Sequence, residues 1–160
     1  MTTTTPILLT FQDGTVGVMH FVLSDDFGFT QRATNENIQR DIDKTPWASP
    51  VTSWKKITMA DIPNDRTFRN AWVDNGGIQV DMPKARDIHR NTMRTARKPK
   101  LEALDRAYIR ADEANDQVEK DRIMDDKQAL RDVTADPGIE DAKTPETLKD
   151  VWPEILNKNQ

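Results

Sequence analysis

Apolar residues in the first half of the chain fall in short runs with the period of strands. Ile7-Leu8-Leu9-Thr10-Phe11 and Val16-Gly17-Val18-Met19-His20-Phe21 flank the polar stretch Gln12-Asp13-Gly14-Thr15. Asp-Gly between two β-prone runs predicts a hairpin, because glycine takes a positive φ without a Cβ clash. A loop is expected over 24–28. Ile38 and Ile42, four residues apart behind the capping residue Thr34, then predict a short helix over 34–44 that Pro46 and Pro50 break. A third strand is expected over 51–57. Phe68, Ala71 and Trp72 have helical spacing and predict a short helix with a buried aromatic pair, followed by a turn at Asn75-Gly76-Gly77 and a short strand at Ile78-Gln79-Val80.

From Pro83 onward the period becomes helical. Asp81 and Pro83 suit a helix start, and a first helix over 83–97 would bury Ala85, Ile88, Thr92 and Ala96. Lys98-Pro99 should interrupt it. A second helix over 100–114 would bury Leu101, Leu104, Tyr108 and Ala111, with Asn115-Asp116 ending it. A third over 118–133 would turn Ile123, Met124 and Leu130 inward. Pro137-Gly138 closes that stretch, and Thr144-Pro145 opens a last short helix ended by Trp152-Pro153. The pattern predicts an α+β protein: a small antiparallel sheet with one short helix in residues 1–80, then three to four helices in residues 81–160.

Composition narrows what such a chain does. Of 160 residues 36% are hydrophobic and 31% charged, with a mean hydropathy of -0.77, so each helix has apolar surface for one buried side only. The absence of cysteine excludes disulfides, thiolate metal sites and cysteine nucleophiles. The threonine run after Met1 lacks the basic and apolar regions of a signal peptide, and no apolar run approaches the length of a membrane span.

The search for chemistry yields little that is catalytic. His20 and His89 have no partner at metal-ligand spacing, and no glycine-rich phosphate loop or nucleophile elbow occurs. Asp25-Asp26 and the group Asp121, Asp125 and Asp126 lack the pattern of a calcium loop; interleaved with Arg122 and Lys127, the latter reads as a solvated helix face. The expectation is a non-enzymatic protein with no cofactor and no metal site.

Charge is more informative. Residues 84–100 carry seven basic and one acidic residue between two acidic flanks. Arg86, Arg90, Arg94 and Arg97 form a ridge that could track phosphates or an acidic partner. No aromatic side chain interleaves it for base stacking, the whole chain has a net charge of -4, and residues 101–160 could neutralise it. These features weigh against nucleic acid and favour pairing with protein carboxylates. Phe68 and Trp72 read as core, whereas Trp47, Trp54 and Trp152 lie beside prolines; Trp152-Pro153 is the favoured interface anchor.

The run Lys127-Gln128-Ala129-Leu130-Arg131-Asp132-Val133-Thr134, then Asp136-Pro137, then Trp152-Pro153, resembles the C-terminal part of tail-fibre and tail assembly chaperones of tailed bacteriophages. The Arg- and Leu-bearing stretch from 94 to 105 fits the same texture. The segment from Asp65 to Trp72, with its Gly-Gly turn and Val80-Asp81-Met82, looks like proteins encoded beside phage tail genes. The resemblance implies a protein that holds or caps a tail-fibre or other tail structural protein, with Leu130, Arg131, Asp132, Trp152 and Pro153 as protein-binding residues. It implies a place in the host cytoplasm, or retention in the virion. The alternatives are a structural virion component (tail, connector or decoration protein) and a small nucleic-acid-binding regulator that uses the Arg86–Arg97 ridge.

Overall fold

The computed structural model describes residues 3–23 and 33–157; the loop expected over 24–28, with Asp25-Asp26, lies outside the described residues. The chain divides into two compact units, Met1–Asp81 and Met82–Gln160. The first is built on a small antiparallel sheet and the second on helices, an α+β architecture.

In the first unit, β1 (Thr3–Phe11) and β2 (Val16–Leu23) form the expected hairpin, and β3 (Val51–Lys56) pairs with the other side of β1. The strand order is β2-β1-β3. The hairpin turn needs Gly14, whose φ is +77°. As the central strand, β1 is covered on both faces, which explains why Ile7, Leu8 and Leu9 are consecutively buried. Ile7, Leu9 and Phe21 meet Ile38 and Ile42 of α1 (Asn35–Lys44), which Thr34 caps by accepting from the Asn37 amide. Leu8 and Val16 project to the opposite face and meet Ile62 and Trp72.

Phe68, Ala71 and Trp72 are core as expected, but not on one helix. Arg69–Ala71 is a single 3-10 turn, and Trp72 opens β4 (Trp72–Asp74), which pairs with β5 (Ile78–Val80). The same i, i+3, i+4 spacing serves a tight turn running into a strand.

The second unit begins with α2 (Met82–Glu113), a single helix of 32 residues that continues through Pro99. The expected interruption at Lys98-Pro99 does not occur. An interior proline removes one helical hydrogen bond and costs about 3 kcal/mol. Pro99 is solvent-exposed, and buried residues on either side of it, Met93 and Leu104, hold the two stretches in one helix. The buried stripe of its first half is Ala85, His89 and Met93. It lies one position round from the expected Ala85, Ile88, Thr92 and Ala96, because a polar histidine finds a buried acceptor. Thr92 is exposed and its hydroxyl donates to the Ile88 carbonyl.

Asn115, at φ 55°, ends α2 in the left-handed region, and the Asp116 amide reaches back to the Ala111 carbonyl. Asp116 then caps α3 (Gln117–Asp132) by accepting from the Glu119 amide, so two residues both stop and start a helix. The pairs Lys120–Asp112 and Lys127–Asp105 and the bond from Arg97 to Arg131 set α2 and α3 antiparallel. Ile123 and Leu130 are buried, whereas Met124, expected to face inward, is 56% exposed. Short helices α4 (Gly138–Asp141) and α5 (Pro145–Asp150) follow, the latter capped by Thr144 with Pro145 in its first turn. Among the described residues no helix is long and apolar enough to cross a membrane.

Candidate functional site

Arginines gather at two places, one in each unit, and the two are spent differently. On α2, Arg86 donates from Nε to the Ile139 carbonyl at 3.0 Å and from Nη2 to those of Glu140 and Ala142 at 3.2 and 2.9 Å. Arg90 donates to the Thr134 carbonyl at 3.3 Å and pairs with the Glu140 carboxylate. Arg97 reaches the carbonyls of Leu130 and Arg131 at 3.3 and 2.7 Å. These acceptors lie at the C-terminal ends of α3 and α4 and in the 3-10 turn Val133–Ala135 between them, where carbonyls lack helical partners. A planar fork of donors suits such clusters better than a single ammonium. Arg94 alone on the ridge turns to the surface, donating to the Asn91 side chain. The Arg90 hydrogen bond is also the main reason the Glu140 carboxyl sits below its ordinary pKa.

The expected protein-binding residues are used in a similar way. Leu130 is 1% exposed and so has no area to offer a partner. The Asp132 carboxylate accepts from Gln128, and Arg131 is exposed. The Trp152 indole N–H donates to Asn157 at 2.9 Å, and its ring meets His89 edge-on, with centroids 5.9 Å apart. His89 Nε2 lies 2.8 Å from the Val151 carbonyl. Trp152 and Pro153 are thus half-buried, with the tryptophan held as an internal latch.

The second gathering is in the first unit and escaped the reading of the sequence. A cavity of about 510 Å³ lies on the face of β2 that carries Val16, Val18 and His20, which alternate onto one side of the strand. Ile62 and Trp72 add to its apolar lining, Arg66 and Arg69 bring two guanidiniums, and Asp13 of the hairpin turn supplies the single carboxylate among the described residues. The arginine segment is fixed locally. The Asp65 carboxylate accepts from the amide and hydroxyl of Thr67, the Arg69 amide bonds to the Arg66 carbonyl, and Phe68, Ala71 and Trp72 are buried beneath. Arg66 precedes the 3-10 turn and Arg69 opens it, and both line the one cavity. Both are exposed, and neither side chain makes a hydrogen bond or ion pair among the described residues. The Trp72 indole N–H, in a residue 5% exposed, has no acceptor among them either. Leaving such a donor buried costs about 1–3 kcal/mol.

The signal that could have found this place is short: Arg66-Thr67-Phe68-Arg69-Asn70-Ala71-Trp72, cations at i and i+3 against buried residues at 68, 71 and 72. No group of His, Asp or Glu among the described residues is arranged to hold a metal ion. Comparison with protein families, with curated proteins and with solved structures finds no match.

Proposed function

We propose that this is a non-enzymatic protein that works by binding other proteins, as an assembly chaperone or accessory for a bacteriophage tail fibre. The observation that carries the binding half is the basic cavity of the first unit. Arg66 and Arg69 line it without partners among the described residues, in a chain where three arginines of the conspicuous ridge are satisfied internally. Unspent guanidiniums over an apolar floor suit recognition of a partner that brings both carboxylate and apolar surface.

The phage half of the reading is supported by the motif residues. The Leu-Arg-Asp run and Trp-Pro are twenty residues apart, yet both are tied to α2, through Arg97 and through His89. Nucleic-acid binding through the α2 ridge would have to break the internal bonds of Arg86, Arg90 and Arg97, which counts against it.

Co-expression with the fibre subunit encoded beside this gene tests the reading. The expected outcome is more soluble fibre and a complex that co-purifies; unchanged fibre solubility ends the chaperone reading. Stoichiometric presence in purified particles would instead favour a structural virion component.

A further inference from the structure

We propose that the cavity beside β2 is a carboxylate-recognition site for an extended acidic segment of a partner protein. The inference rests on the protein-binding reading and names the chemistry of the partner. Three features of the site carry it.

The first is charge. Arg66 and Arg69 line the cavity with two guanidiniums that have no partner among the described residues, and His20 lines it from β2. A guanidinium fork matches the two oxygens of a carboxylate. Asp13 stands on the same wall as the hairpin turn, its carboxylate already accepting from the Thr15 amide and hydroxyl. A negative group there disfavours a multiply charged polyphosphate more than a single carboxylate.

The second is the apolar lining. Val16, Val18, Ile62 and Trp72 give the cavity a hydrophobic side, which suits the residues that alternate with acidic ones in an extended segment. Trp72 adds a donor with no acceptor among the described residues, which a ligand oxygen could relieve after a small shift of the ring.

The third is topology. Among the described residues β2 is an outer strand of the sheet, hydrogen-bonded in the ladder to β1 alone. A strand with one unpaired edge accepts an added strand, whose backbone supplies affinity while alternate side chains enter neighbouring pockets. Here the pocket lies on one face of that same strand.

The test is a fluorescence-polarisation titration of the full-length protein with a fluorescein-labelled hexapeptide of alternating Val and Glu. Saturable binding is expected, weakened at least tenfold when Glu is replaced by Gln and at least tenfold by Arg66→Gln with Arg69→Gln. Arg94→Gln, at an exposed arginine of the other unit, should leave the affinity unchanged. Circular dichroism of the double variant should match the parent, since both positions are exposed. Equal affinity for the Gln peptide, or for the double variant, overturns the proposal. So does displacement of the peptide by inorganic phosphate or a single-stranded oligonucleotide at lower concentration than by unlabelled peptide, which would make the site a phosphate site. Peptide binding without any effect on fibre solubility would sink the tail-fibre reading and leave this site standing; the reverse pair of results would sink the site alone.

Discussion

In the helical unit, Arg86, Arg90 and Arg97 end on main-chain carbonyls and on Glu140; in the sheet unit, Arg66 and Arg69 end on nothing among the described residues. The first set is dense, periodic and visible as a block of charge; the second is a pair in an ordinary stretch. Density of charge in a sequence therefore does not measure availability. Guanidiniums near helix C-termini are attracted to orphan carbonyls and to the negative end of the helix dipole, and α3 and α4 both end where α2 can reach them. In the sheet unit Arg66 lies within a turn that Asp65 closes by accepting from the amide and hydroxyl of Thr67.

The contrast can be broken most forcefully in the core that the α2 arginines frame. Leu130→Ala should cost about 2–5 kcal/mol, the usual penalty for a buried leucine leaving a cavity, and chemical denaturation followed by helical circular dichroism would measure it. Because Leu130 is 1% exposed, a loss below about 1 kcal/mol would mean that the residue is at the surface, as a partner-binding role requires.

Arg86→Gln comes next. It strands carbonyls at Ile139, Glu140 and Ala142, and the expected loss is about 1–3 kcal/mol. Arg86→Lys should recover only part of it, since one ammonium cannot span three acceptors in a fork. Full recovery by lysine would reduce the ridge to simple charge and erase its difference from Arg66 and Arg69.

How much of this was legible depends on which forces decide each element. The hairpin, α1, the strand at 51–56 and the Thr144-capped helix are set by local chemistry: a glycine at positive φ, a capping hydroxyl, a proline in the first turn. Period and capping express that chemistry, so the α+β architecture could be read. The continuity of α2 through Pro99 could not, because it depends on packing far along the chain. Nor could the burial of His89, which requires the carbonyl of Val151, sixty-two residues away. The cavity was hidden for the same reason. Its two walls, β2 and the 62–72 segment, are brought together by Leu8, Val16, Ile62 and Trp72, a cluster no local pattern announces.

A smaller effect, read by pH, tests the pairing of the spent arginines. The Glu140 carboxyl is held below its ordinary value of 4.5, chiefly by the Arg90 hydrogen bond. A carboxyl depressed in the folded state stabilises it above the unfolded value, and that contribution fades as pH falls through the lowered one. Parent and Glu140→Gln should therefore differ in unfolding midpoint at neutral pH and converge in acid below 4.5. A gap that persists unchanged at low pH would assign the difference to packing and not to the ion pair.

The smallest expected effect is the most pointed. Arg66→Gln with Arg69→Gln should change stability by less than about 0.5 kcal/mol, the range for surface positions without partners. The two cations lie three positions apart with no carboxylate paired to either among the described residues, so relieving their mutual repulsion could even raise the unfolding midpoint slightly. Ordinarily, stability selects for such repulsion to be removed. Two cations at a cavity rim, without partners among the described residues, are what a site for an external anion requires. If the double variant instead loses as much stability as Arg86→Gln, Arg66 and Arg69 are structural, and the distinction between the two sets of arginines fails.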